Sequence, residues 1–256
     1  MAKRRDLVRE EAILLATLLH EYRTLGNPVF TDTTVVRFQT EGYCQVLANG
    51  SLVGVADEVI KREIAHHRSI GRSFEWKLFS TDLPADLLDR LVARGFEIGT
   101  KEVVCAVDLA TCFREVDPEI RVERVSDEIQ LNDFRSVAEA VFGKDFSFTV
   151  GVLARCIAAG TEEEVGFVAY SGDTPVSIGR LDHGERNTCG GLYTGGTLPE
   201  FRCRGYYQAV VAARVSHARK ASLRYLCIDA RPTSLPILHR LGFESVVESW
   251  QCCKTN

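Results

Sequence analysis

Apolar periodicity changes repeatedly along this 256-residue chain, and stretches spaced for a helix alternate with stretches spaced for a strand. That alternation constrains the fold more than any other feature, because it requires helices layered on a sheet. Asp6 to Leu25 reads as an amphipathic helix with Ile13, Leu14, Thr17, Leu18 and Tyr22 on one face. Strand-like runs follow at Val35–Phe38 and Gln45–Leu47, then a helix at Ala56–Ser69 with Gly71 placed as its stop. Phe74–Phe79 alternates as a strand, Thr81-Asp82-Leu83-Pro84 looks like a capped start of a helix running to Arg94, and Lys101–Leu109 is a strand.

The polar stretch Thr111–Pro118 has no strong periodicity and reads as a linker. A second cycle follows: strand Ile120–Val125, helices Asp127–Phe142 and Val150–Ala159, and a hairpin of Val165–Tyr170 and Pro175–Asp182 turning at Ser171-Gly172-Asp173. Then come strand Cys189–Thr197, helix Gly205–Ala221, strand Tyr225–Asp229, a short helix Ser234–Leu241 and strand Phe243–Gln251. Leu88–Glu97 and Leu235–Glu244 repeat one device, a helix stopped by Gly and followed at once by Phe. Its recurrence at the end of both cycles points to two related halves.

Composition excludes several classes. Hydrophobic residues make up 45% and charged residues 26%, ordinary globular values, and no apolar run approaches the length of a bilayer. The basic start Met1–Asp6 lacks the apolar core of a signal peptide, so the expectation is a cytoplasmic protein with no membrane partner. Nine cysteines, an odd number with no C-x-x-C, read as reduced and mostly buried. His66-His67 is the only His pair, and neighbouring residues on a helix diverge, so no metal is expected.

The informative segment runs from Gly190 to Tyr207. A strand enters a short turn holding Pro199, then a Gly near two Arg, then a helix. The amides of residues 203–207 are left unpaired at a helix start, where the helix dipole also favours an anion. Gly205 has no side chain to obstruct a phosphate. From Arg202 to Arg240 eight Lys or Arg face one acid, Asp229, a local charge of +7 in a chain whose total is −4. With Val211, Val215 and Ala218 forming an apolar side, the basic residues of this helix are expected to face solvent, beside a polyanionic ligand. A nucleic-acid partner is not expected, since aromatic residues do not interleave with the basic stretch and the chain is acidic overall.

Arg202-Cys203-Arg204-Gly205-Tyr206-Tyr207 resembles the R/Q-x-x-G-x-G/A acetyl-CoA signature of the GNAT acetyltransferases, and Thr197–Phe201 is similar to the strand end before it. Ser234–Phe243 resembles that family's next helix with its Leu-Gly-Phe ending, and Ile64–Leu78 resembles the N-terminal halves of two-part GNAT proteins. The resemblance implies an α/β (α+β) fold, a mixed and mostly antiparallel twisted sheet flanked by helices. Residues 1–110 would be a degenerate GNAT-like half, 111–118 a linker and 119–256 the acetyltransferase domain.

It also implies acetyl-CoA as co-substrate, its pyrophosphate on the amides of Cys203, Arg204, Gly205, Tyr206 and Tyr207 with Arg202 alongside. The backbone of Gly196, Thr197 and Leu198 would hold pantetheine, and Arg231 would touch phosphate or pantetheine. Gly195-Gly196 suits a β-bulge whose N–H stabilises the acetyl oxyanion, or else a simple loop. Two positions depart from the family. Tyr207 stands in place of Gly or Ala, and Leu238 occupies the position of the general acid, which leucine cannot serve. Tyr193 is taken as the catalytic candidate, with Tyr206 and Tyr207 as other hydroxyls and Asp182, His183 or Glu185 as bases. Cys203 sits at a non-catalytic position of the signature. Two functions remain in view: transfer of acetyl to a small-molecule or peptide amine, or non-catalytic binding of acyl-CoA.

Overall fold

A computed structural model describes residues 18–23, 25, 28–110, 119–184 and 188–255. After a helix α1 (residues 18–23) come β1 (Phe30–Thr31), β2 (Val35–Gln39), β3 (Cys44–Ala48), α2 (Ala56–Ser69), β4 (Phe74–Phe79), α3 (Leu87–Ala93), β5 (Glu97–Ile98) and β6 (Glu102–Asp108). Then follow β7 (Val122–Arg124), α4 (Glu128–Phe142), α5 (Ser147–Ala159), β8 (Glu164–Ser171), β9 (Thr174–Asp182) and β10 (Cys189–Thr197). The chain ends with α6 (Tyr206–Lys220), β11 (Tyr225–Ala230), α7 (Leu235–Arg240) and β12 (Glu244–Lys254).

The chain forms two compact units that are not successive stretches of sequence. The first is built mainly from Cys105–Ile228 and Pro236–Glu244; the second joins residues 28–104 with Asp229–Leu235 and 245–255. The linker read at 111–118 lies outside the described residues, as do Glu185 and all of the leading helix before residue 18. The C-terminal strand β12 runs antiparallel to β4, with Gln251 opposite Lys77 and Cys253 opposite Glu75, so the second unit draws on both ends of the sequence.

In the first unit the strand order is β7-β8-β9-β10-β11, antiparallel except for the parallel pair β10 and β11. Successive residues of β9 point to opposite faces. Ile178 joins Phe134, Val137 and Ala138 of α4 and Leu153 of α5 in one core. Gly179 faces α6, where a β-carbon would lie 2.7 Å from Val210 Cγ1, so the missing side chain sets how closely that helix approaches. Burial of Phe134, fully shielded, stabilises the unit by about 2–3 kcal/mol. The Asp127 carboxylate accepts the Gln130 N–H at 2.8 Å to begin α4, and Gly143 at φ 66° ends it.

In the second unit the order is β1-β2-β3-β4-β12, with β5 also on β12. One face buries Val35, Val46, Trp76, Leu78 and Cys252 with Val59 and Ile60 of α2 and Leu87 and Leu91 of α3. Asp57 and Glu58 begin α2 and His66, His67 and Arg68 close it, an arrangement that complements the helix dipole. The capped start expected at Thr81–Pro84 is corrected: α3 begins at Leu87, and the Asp82 carboxylate accepts the Phe79 N–H at 2.9 Å, closing the turn after β4. The repeated device is present in both places, with Gly95 at φ 76° and Gly242 at φ 97° reversing the chain into β5 and β12.

Candidate functional site

Strand β10 determines the site. Its parallel ladder with β11 has three registers and ends at Gly191 opposite Cys227. On its other edge Tyr193 pairs with Arg180 and Gly196 with Ile178, so Thr194 and Gly195 together oppose the single residue Gly179. This is a β-bulge, and Thr194 takes φ 51° within it. Beyond the bulge, Gly195 and Gly196 face opposite sides of the sheet. A β-carbon on Gly195 would lie 3.1 Å from Tyr207 Cε2 of α6, and one on Gly196 would lie 2.7 Å from Val141 Cγ1 of α4. Below the bulge the Ser177 hydroxyl donates to Gly196 O at 2.9 Å, and the Leu198 N–H bonds Val176 O at 2.9 Å.

Pro199–Phe201 then forms one 3₁₀ turn. Cys203 at φ 60° and Gly205 at φ 87° are left-handed, and Arg204 between them is not. Such alternation turns consecutive amides into a concave anion nest. Ala209 N–H bonds Gly205 O at 3.0 Å, so the preceding amides of the helix start lie outside the helical ladder. Gly205 begins α6 with no side-chain cap, and a β-carbon there would meet Ile120 Cδ1 at 3.2 Å as well as the strained φ. Arg202 and Arg204 are exposed beside the loop, with Arg202 Nε donating to Thr197 O at 3.2 Å. Tyr206 packs edge-on against Phe201 at 6.0 Å.

A second group of side chains faces the side of the sheet that carries α4. Asp182 lies opposite Glu164 on β8 and Gly191 on β10, and Arg180 pairs with Glu164. Burial and the neighbouring Glu164 push the Asp182 carboxyl up to about 7, with Arg180 opposing them. Tyr193 places its ring over Gly191, and the Arg180 guanidinium stands 5.3 Å from that ring.

No family model matches the sequence, and no curated protein does. Solved structures do. A GCN5-related N-acetyltransferase from Kribbella flavida superposes with a TM-score of 0.69 at 13% identity, covering 96% of this chain and 95% of its own. A second, from Sphaerobacter thermophilus, gives 0.63 at 12% identity over 86% and 75%. A tandem GNAT protein from the clavulanic acid biosynthesis pathway gives 0.57 at 11% identity over 86% and 78%. The chain has the GNAT fold. Its sheet is mixed and mostly antiparallel with flanking helices, as the resemblance implied.

Within this GNAT fold, Gly196, Thr197, Leu198, Arg202, Cys203, Arg204, Gly205, Tyr206 and Tyr207 form one continuous strand–loop–helix path. Arg231 belongs to the second unit, where its Nε lies 3.5 Å from Glu102 Oε1. The basic residues expected to face solvent do so at Arg219 and Lys220 of α6, with Arg219 also donating to Leu109 O at 3.2 Å and the exposed Arg224 pairing with Asp108 at 3.3 Å; Arg214 is the exception and is wholly buried. Arg214 was expected to face solvent; it lies one turn from Val210 on the buried side of α6. Gly179, an isolated Gly within an apolar strand, was the sequence signal of that close approach. Asp182 and His183, read as exposed turn residues, are instead half-buried and buried at the end of β9.

Proposed function

We propose that the protein is an acyl-CoA-dependent N-acetyltransferase that moves acetyl from acetyl-CoA to an amine of a small molecule or peptide by direct attack. The observation that carries this reading is the bulged β10 leading into the open amides around Gly205. The loop fits a pyrophosphate in a way that is hard to attribute to folding alone, since it has left-handed Cys203 and Gly205, no side-chain cap and two exposed arginines. In this reading the amides from Cys203 to Tyr207 hold the pyrophosphate with Arg202 and Arg204, and the backbone of Gly196, Thr197 and Leu198 holds pantetheine. The Arg231 assignment rests on family resemblance alone.

The bulge supplies a preorganised N–H for the acetyl oxygen as it becomes negative. Tyr193, Arg180 and Asp182 line the α4 side for the incoming amine. Asp182, opposite Gly191 and so several residues along the sheet from the bulge, has a carboxyl near 7 and is suited to take up the amine's proton through water at neutral pH. A solvent-shielded carboxylate attracts an ammonium and then deprotonates it, which fits a basic acceptor.

One observation favours the other reading, a non-catalytic acyl-CoA binder. Leu238 is fully buried in α7 and offers no proton where the resemblance places the acid. Isothermal titration with acetyl-CoA, followed by thiol release across a panel of amines, separates the two. Binding with turnover supports transfer, binding with silence on every amine supports the binder, and no binding overturns both.

A further inference from the structure

Arg214 is unused by the reading above, and its setting is unusual. Its guanidinium is fully buried and pairs with no carboxylate among the described residues. Burying a charge without a counter-charge is costly, so sequences rarely keep one for packing alone. Nε donates to Val210 O and Nη1 to Arg180 O, each at 3.3 Å, while Nη2 has no well-formed hydrogen bond. Two glycines make room for it. A β-carbon on Gly179 would lie 2.7 Å from the guanidinium Cζ, and one on Gly195 would lie 3.5 Å from Nη2. The same Gly195 position is 3.7 Å from the Tyr207 hydroxyl oxygen. The unsatisfied donor and the phenol therefore converge beneath the bulge of β10.

We propose that Tyr207 donates the proton that the departing thiol needs, and that Arg214 is a positioning residue that holds its hydroxyl under the bulge and supplies the counter-charge to the phenolate. This assignment rests on the acyl-transfer reading. It fills the role that the buried Leu238 leaves vacant.

In the transfer a C–N bond forms between acceptor and acetyl carbon, and the C–S bond breaks with its electron pair on sulfur. The Tyr207 proton passes to that sulfur to give the free thiol. The proton lost by the amine passes to water, and solvent returns a proton to the phenolate. Burial holds the Tyr207 phenol above its ordinary value, with the charge of Arg214 opposing, so the proton is in place across the neutral range. The titratable groups acting on the phenol are Arg214 of its own helix and Cys105 of β6; Gly195 of β10 contributes none.

Three variants, Tyr207→Phe, Arg214→Met and Arg214→Lys, test the assignment by three readouts. Acetyl-CoA affinity is measured by calorimetry, turnover by thiol release, and phenol ionisation by tyrosinate absorbance of the ligand-free protein. The expected result is a loss of about 10²-fold or more in kcat for Tyr207→Phe, with affinity changed by no more than about twofold. Arg214→Met loses turnover in the same way, and Arg214→Lys recovers part of it. In the absorbance titration Arg214→Met moves one ionisation to higher pH, and Tyr207→Phe removes it. Full kcat in Tyr207→Phe, or an ionisation unmoved by Arg214→Met, overturns the assignment while leaving acyl transfer intact. Wild-type protein that binds acetyl-CoA yet releases no thiol with any amine overturns it as well. Failure of the wild type to bind acetyl-CoA at all marks failure of the underlying reading.

Discussion

Two buried cations, one in each unit, have opposite surroundings. Lys77 on β4 lies 2.9 Å from Asp229 and 3.2 Å from Glu102, and both acids have further partners in Ser249 and Arg231. Burial works against its charge, yet these acids, with Glu75, hold its pKa above the ordinary value. Among the described residues Arg214 has two carbonyls and a phenol but no acid, and burial draws its pKa down. A cation enclosed by carboxylates has its charge answered within the fold. A cation enclosed by carbonyls and glycines still awaits a negative charge, and that difference separates a structural residue from one kept for chemistry.

The sharpest test of the contrast is Lys77→Met. It leaves the buried Glu102 and the half-buried Asp229 without their cation, so chemical denaturation should show a loss of about 3–5 kcal/mol. Next in size is Gly205→Glu, which places a side chain and a negative charge in the anion nest. Calorimetry should find acetyl-CoA affinity reduced at least about 100-fold, equivalent to about 2.7 kcal/mol, and unchanged affinity would refute the phosphate cradle.

Asp182→Asn tests the α4 side of the sheet. Burial and Glu164 push the folded carboxyl up to about 7 from an ordinary 3.8, so the native state binds the proton more tightly. Stability contributed by this group is therefore greatest at low pH and is lost as pH rises from about 4 to about 7. Thermal unfolding should show the wild type losing Tm relative to Asp182→Asn across that window, and parallel curves would remove the basis for assigning the base. Arg214→Met should change stability by no more than about 1 kcal/mol in either direction, because it removes an unanswered charge along with two hydrogen bonds. A loss as large as that of Lys77→Met would make Arg214 a structural cation. Cys203→Ser is expected to lie within about 0.5 kcal/mol of wild type with turnover intact, since that thiol is exposed and used by neither role.

Local signals were readable wherever one stretch of chain contained the whole cause. Ala56–Ser69, Phe74–Phe79 and Cys189–Thr197 have the bounds that periodicity assigned, because Gly71 and the flanking polar turns end them without help from elsewhere. Gly195-Gly196 marked the place of the bulge, but it is Thr194 that takes positive φ, and the two glycines make room for Tyr207 and Val141. The direction of Arg214 was not readable. Its side of α6 also carries Val210, Val211, Val215 and Ala218, and a basic residue in such a row is ordinarily assumed to escape to water.

Sequence by itself determined the order of helices and strands, the glycine-opened loop before α6, and the absence of a phenol at Leu238. These depend on side-chain volume, backbone freedom and chemical identity, which belong to single residues. Only the tertiary structure decided that β12 joins β4, that Asp182 meets Glu164, and that Arg214 lies beneath Gly195 beside Tyr207. Each is a pairing of distant residues, and the charge state it imposes comes from desolvation and neighbours that exist only once the sheet has formed.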